Sequence, residues 1–296
     1  MIEQTKKLPT ADFAAVRVVP QTRDIRLRHE LLRLHPGVEH RGFDDGAAHR
    51  RVLRDARPGM YEYELEAMFE HEFRTGGGNG PAYGSIVGAG DNATILHYRE
   101  NRSRLQDGQL VLVDAGCEYG SYAADVTRTF PAGGSFSPEQ AALYDVVLEA
   151  QQAAIDVVRP GARFGDSHDR ALDVLCRGLV DVGLLEGPAA RVRESGDYRA
   201  YYMHRTGHWL GLDVHDTGLY DVGGESRVLE PGMVLTVEPG LYVASDSAAP
   251  AAFRGIGIRI EDDVLVTAAG HDILTSDAPK TRREIEALRA VVVGAA

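Results

Sequence analysis

The chain has 296 residues, 44% apolar and 26% charged, ordinary values for a soluble globular protein and enough for one large domain or two small ones. Its formal net charge of −12 argues against a nucleic-acid partner, which needs clustered Lys and Arg, and against attraction to anionic lipid at a membrane surface. The opening residues lack the apolar run of a signal peptide, and no apolar stretch approaches the roughly 20 residues that span a bilayer.

Cys117 and Cys176 stand far apart and in no metal-ligand spacing, so two small buried thiols and a cytoplasmic location are expected. Residues 1–45 read as a lead-in segment, with a basic amphipathic stretch over 24–34 that ends at His35-Pro36-Gly37. Residues 46–296 then read as the catalytic domain. Helices are predicted over 47–56, stopping at Pro58-Gly59, and over 63–74, where Leu65, Met68, Phe69 and Phe73 recur at helical spacing. The Gly-rich stretch 76–90 reads as a loop or a set of short strands. Strands over 110–115 and 123–130 precede helices over 138–158 and 166–182, the first opened by Ser137-Pro138-Glu139. Further strands fall at 234–238, 241–244, 257–261 and 264–266, and a charged helix forms the tail from Thr281.

A weak internal repeat runs through this order. Ala56-Arg57-Pro58-Gly59 and Val158-Arg159-Pro160-Gly161 each introduce a helix, and each half later carries an apolar strand that ends in a carboxylate, Asp114 or Glu238. Mirrored strands of this kind are what a pseudo-twofold metal site requires. In the first half, Asp114 and Asp125 are symmetric about Tyr119-Gly120, so a hairpin turning there sets them directly opposite, about 5 Å apart at Cβ. In the second half Glu238 and Glu261 end β-branched runs, where a carboxylate is costly to bury without compensation.

Four such carboxylates call for cations. His208 supplies a nitrogen from a stretch that also holds His204 and His215. One imidazole among carboxylate oxygens suits Mn²⁺, Co²⁺ or Zn²⁺. Asp262 and Asp263 read as solvated acids at a strand turn.

At these residues the sequence resembles the pita-bread metallopeptidases, and among them the Xaa-Pro aminopeptidase (aminopeptidase P) branch. The motifs that carry the resemblance are Ile95-Leu-His-Tyr98, Val113-Asp-Ala-Gly116, Ala124-Asp-Val-Thr-Arg-Thr-Phe130, His208-Trp-Leu-Gly-Leu-Asp-Val-His-Asp216, Val237-Glu-Pro-Gly-Leu-Tyr242 and Gly255-Ile-Gly-Ile-Arg-Ile-Glu-Asp262. They imply an α+β pita-bread fold, a pseudo-twofold repeat of helices packed on a curved antiparallel sheet. They imply two divalent ions, foremost Mn²⁺, with Asp114 on one ion, Asp125 and Glu261 bridging, and His208 and Glu238 completing the other. His97, His204 and His215 resemble the histidines that handle the substrate carbonyl and the scissile amide. Only about 45 residues precede the matching portion, so the N-terminal domain of the long family members is expected to be absent. That domain shapes the substrate mouth and the oligomer in the long members, and a homo-oligomer is a possible assembly here.

The implied reaction is hydrolysis of an N-terminal Xaa-Pro bond by a hydroxide bridging two divalent ions. The nitrogen before proline carries no N–H, so it must be protonated as it leaves, and the rigid ring needs a shaped pocket. Glu238 is the candidate proton shuttle, and His204 the candidate donor to the oxyanion. His97 and His215 are placed to line the pocket, with Tyr98 and Trp209 as packing residues beside it. Arg259 is expected to orient a ligand carboxylate or an acid such as Asp213, and Tyr242 to hydrogen-bond nearby. A prolidase, a methionine aminopeptidase and a non-catalytic pita-bread binding module are the alternatives. The intact five-residue set disfavours the last of these.

Overall fold

In the computed structural model the described residues are 44–293, within the second of two units, Met1–Gly37 and Val38–Ala296. The amphipathic stretch expected over 24–34 lies outside them. Helix α1 (Asp45–Asp55) starts at Asp44, whose Oδ1 accepts from Ala47 N at 2.7 Å and so satisfies an orphan donor of the first turn. Helix α2 (Glu62–Thr75) buries Leu65, Phe69 and Phe73, the stripe that the periodicity predicts. In the Gly-rich stretch, β1 (Gly80–Pro81) and β2 (Ile86–Ala89) appear as short strands.

The next four strands form one bent hairpin: β3 (Leu110–Asp114), β4 (Cys117–Tyr119), β5 (Tyr122–Ala123) and β6 (Thr127–Pro131). The strand predicted over 123–130 is therefore broken, because the chain kinks at 124–126. β3 pairs with β6 and β4 with β5, all antiparallel, and β2 adds to the far edge of β3. Helix α3 (Pro138–Asp156) follows, opened by a capping box in which Gln140 N donates to Ser137 Oγ at 3.2 Å and Ser137 N to Gln140 Oε1 at 2.9 Å. Then come α4 (Phe164–Asp181) and α5 (Ala189–Ser195), the latter without an apolar period long enough to read from sequence.

After a small hairpin, β7 (Asp221–Val222) with β8 (Glu225–Ser226), the second half repeats the bent hairpin. Its strands are β9 (Val234–Val237), β10 (Gly240–Val243), β11 (Ile256–Arg259) and β12 (Asp262–Val266). β9 pairs with β12 and β10 with β11, and β13 (His271–Ile273) flanks β12. Helix α6 (Arg282–Val293) closes the described chain. A core that includes Phe69, Phe130, Tyr144, Leu175 and Ile258 sits between helices and strands, and Cys117 and Cys176 are buried free thiols within it. Among the described residues no helix is long and apolar enough to cross a membrane.

Candidate metal centre

Each bent hairpin breaks its ladder where it kinks, and the acidic residues stand at those kinks. In the second half Asp262 pairs with Val237 and Arg259 with Gly240, which sets Glu238 directly across from Glu261. The first half differs from the sequence expectation. Asp114 pairs with Thr127, and Tyr119 with Tyr122, so the turn centres on Gly120-Ser121 and Asp125 is a diagonal rather than a direct neighbour of Asp114. A two-residue slip keeps both side chains on one face, because strand side chains alternate with period two. The two carboxylates are joined by Tyr83, whose hydroxyl lies 2.5 Å from Asp114 Oδ1 and 2.6 Å from Asp125 Oδ1, one proton shared between two acceptors.

His208 reaches the same region because residues 208–210 run along β9: Thr236 N donates to His208 O at 3.0 Å and Leu210 N to Val234 O at 3.2 Å. Gly207 permits this approach, since a Cβ there would lie 2.0 Å from Thr236 O. The Nε2 of His208 lies 3.3 Å from Asp125 Oδ2 and 3.7 Å from Glu238 Oε1, while Nδ1 sits 3.1 Å from Trp209 O. One ligand atom each from Asp125, His208 and Glu261 lie within 4.8 Å of one another. Glu238 joins this group through His208, and Asp114 through Tyr83.

The structure brings Arg259 to Asp114, with Nη2 2.5 Å from Oδ2, and Asp213 is exposed. Its Nε donates to Thr127 Oγ1 and its Nη1 to the Tyr242 hydroxyl, each at 3.1 Å. Thr127 Oγ1 in turn donates to Glu261 Oε2 at 2.5 Å. Tyr242 continues the chain to His204 Nε2 at 2.9 Å, and His204 Nδ1 is 2.8 Å from Arg205 O and 3.8 Å from Glu238 Oε2. His215 is exposed, with its ring centroid 4.3 Å from that of His208. His97 is also exposed, close enough to influence both His204 and His215. Tyr98 and Trp209 are buried packing residues: the Tyr98 hydroxyl donates to Glu62 Oε2 at 2.8 Å, and Trp209 packs against Phe164 and Tyr220.

Burial dominates the electrostatics of these acids. Burial, reinforced by neighbouring carboxylates, pushes Asp125 and Glu261 well above the usual carboxylate range. Burial raises Glu238 too, partly countered by His208 and Arg259. Burial, then the Arg259 charge, lowers His204 to about 3, so this ring is neutral. Without cations the carboxylates keep their burial only by holding protons. Carboxylate oxygens and one imidazole meeting at two kinks fit divalent ions, which remove that cost.

The description Metallopeptidase family M24 matches residues 45–268. The chain belongs to that family. As an M24 chain it is 48% identical over 241 residues to the Xaa-Pro aminopeptidase of Escherichia coli, a match covering 81% of this chain and 54% of that one. It is 44% identical over 276 residues to the Xaa-Pro aminopeptidase of Haemophilus influenzae, covering 93% and 62%. It superposes on the structure of Pseudomonas aeruginosa aminopeptidase PepP with TM-score 0.84 and 55% identity, over 86% of this chain and 58% of that one. An Escherichia coli aminopeptidase P with the inhibitor Pro-Leu gives TM-score 0.83 and 47% identity, over 86% and 57%. The chain thus spans little more than half the length of these relatives, and its fold is the α+β pita-bread fold of the M24 enzymes.

Two acids of this M24 chain correct the sequence reading. Asp262 and Asp263 are buried, 0% and 3% exposed, not solvated at a turn. Asp262 accepts from Arg128 Nη2 at 2.7 Å, Thr275 Oγ1 at 2.8 Å, Gln151 Nε2 at 2.7 Å and Lys280 Nζ at 2.6 Å. Burial alone would raise its pKa, but Arg128 and Lys280 bring it down to about 2. Asp263 Oδ2 accepts from Asp125 N at 3.1 Å. Partners more than a hundred residues away in sequence, such as Arg128 and Gln151, cannot be foreseen from the strand pattern.

Tyr83 was also missed, since nothing in a Gly-rich loop marks one tyrosine out. Glu62 is another omission. It is fully buried, accepting from Ala89 N at 2.8 Å, Asn92 Nδ2 at 2.9 Å and Ser103 N at 2.8 Å besides Tyr98, so it ties α2 to the segment bearing His97.

Proposed function

We propose that this chain carries a metallo-aminopeptidase centre that hydrolyses the bond between an N-terminal residue and a following proline. The observation that carries the reading is the meeting of Asp125, His208 and Glu261, with Glu238 and Asp114 beside them, at the kinks of two repeated hairpins in an M24 chain. In this proposal Asp114, Asp125, His208, Glu238 and Glu261 hold two divalent ions, foremost Mn²⁺. When bound, such ions supply a nucleophile at neutral pH by acidifying water and polarise a carbonyl.

The remaining steps belong to protein side chains. Arg259 and Thr127 fix the carboxylates of Asp114 and Glu261 through the contacts described above, so neither needs to reorganise as charge develops. Glu238, between His204 and His208, takes the proton of the attacking water and returns it to the proline nitrogen. Neutral His204, oriented by Tyr242, gives its N–H to the substrate carbonyl oxygen in exchange for Arg205 O. His97 and His215 flank the leaving proline. The net charge and the buried thiols support action on peptides in the cytoplasm.

The test is hydrolysis of an Xaa-Pro-Xaa tripeptide by metal-stripped protein with Mn²⁺, Co²⁺ or Zn²⁺ added back. Metal-restored release of the first residue is expected, and failure of every metal would overturn the reading. An enzyme that cleaves Xaa-Pro dipeptides and leaves the tripeptide intact would be a prolidase.

A further inference from the structure

The kink in the first hairpin leaves main-chain groups that the ladder cannot satisfy. Ala115 N and Ala124 N still bond across it, to Val126 O and Cys117 O at 3.1 Å each. Three neighbouring groups take side-chain partners instead. His49 Nε2 lies 3.0 Å from Ala115 O, Asp45 Oδ1 accepts from Cys117 N at 2.9 Å, and Asp263 Oδ2 serves Asp125 N as described. Asp45 and His49 are four residues apart on α1, hence on one face of the helix, and are 8% and 0% exposed.

The chemistry of His49 is fixed by its surroundings. Nδ1 has no hydrogen-bond partner among the described residues, and the ring stands edge-on to Phe69 with centroids 4.7 Å apart. Burial, then the nearby Arg128 charge, lowers its pKa to about 3. The ring is neutral with its proton on Nε2, a donor aimed at Ala115 O. The kink itself has little room to adjust, because a Cβ on Gly116 would lie 1.9 Å from Ala124 O.

We infer that Asp45 and His49 are positioning residues that, by gripping Cys117 N and Ala115 O, set the separation of the Asp114 and Asp125 carboxylates and so the affinity of the centre for divalent cations. This rests on the proposed metal role of those two carboxylates. The grip acts from α1, an element that supplies no ligand. Residues that orient metal ligands from outside commonly change metal affinity by about 10–100-fold when removed.

The test is calorimetric titration of Mn²⁺ into the metal-free full chain, with the melting temperature of each metal-free protein recorded alongside. His49→Leu keeps bulk and loses the donor, and is expected to bind Mn²⁺ about 10–100-fold more weakly. His49→Gln can place an amide N–H near the same point and is expected to recover most of the affinity. Asp45→Asn keeps an acceptor for Cys117 N and should bind like wild type, whereas Asp45→Leu should not. That second pair decides the matter if His49→Leu fails to fold. Unchanged Mn²⁺ affinity in the leucine variants, with only the melting temperature lowered, would reduce both residues to packing and overturn the inference. Wild-type protein that binds no Mn²⁺ would overturn the metal reading and the inference with it.

Discussion

Asp262→Asn should remove a pH-dependent part of the stability that can be worked out in advance. The carboxylate is fully buried and accepts four hydrogen bonds, two of them from Arg128 and Lys280. Against the effect of burial, Arg128 and Lys280 bring its pKa from the ordinary 3.8 down to about 2. A shift of that size corresponds to about 2 kcal/mol of stability, since each pKa unit is worth roughly 1.4 kcal/mol. The sign follows from linkage: a depressed acid contributes fully above its unfolded pKa and loses the contribution as pH falls through the folded one. At pH 3 roughly half of it should remain.

The variant also strands Arg128 and Lys280 beside a neutral amide, so at pH 6 it should be about 3–5 kcal/mol less stable than wild type. Urea denaturation of both metal-free proteins at pH 6 and pH 3 measures the gap between them. Acids that the Asp262 charge does not shift, including the raised Asp125 and Glu261, cancel in that difference. The gap should shrink by about 1 kcal/mol at the lower pH. An equal gap at both pH values would refute the assignment of Asp262 as a charged, depressed acid.

Two further outcomes follow from the site. Tyr83→Phe removes the hydroxyl shared by Asp114 and Asp125, so Mn²⁺ affinity should fall about tenfold or more; unchanged affinity by calorimetry would leave that contact without a role. Metal-free wild type should become more stable as pH falls from 8 towards about 7, because Asp125, Glu238 and Glu261 have raised pKa values and raised acids favour the fold at lower pH, before the lowered His49 and His204 begin to cost stability near 6.5. Saturating Mn²⁺ should flatten that trend; thermal melts that ignore both pH and metal would contradict the charge argument.

What could be read from sequence was whatever leaves a local periodic signal. Leu65, Phe69 and Phe73 announced α2, and Ser137-Pro138 announced α3 at its observed start. The carboxylates were legible because an acid ending a β-branched run is a local contradiction. The hairpin register was not, since the turn residues Gly120 and Ser121 both adopt positive φ and admit a centre that symmetry alone places one residue earlier. Asp262 and Asp263 were misread because their compensation comes from afar, from Arg128 and from the Asp125 amide. Tyr83, Glu62, Asp45 and His49 share that difficulty. Each acts on a backbone or carboxylate group that folding alone brings near.

The central claim is that Asp114, Asp125, His208, Glu238 and Glu261 together hold two ions. Elemental analysis of Mn²⁺ bound per chain after saturation and desalting tests it most directly, with Asp125→Asn measured in parallel. Two ions in wild type and a clear loss in the variant are predicted. Wild type retaining no Mn²⁺, or an Asp125→Asn protein that retains two, would contradict the account.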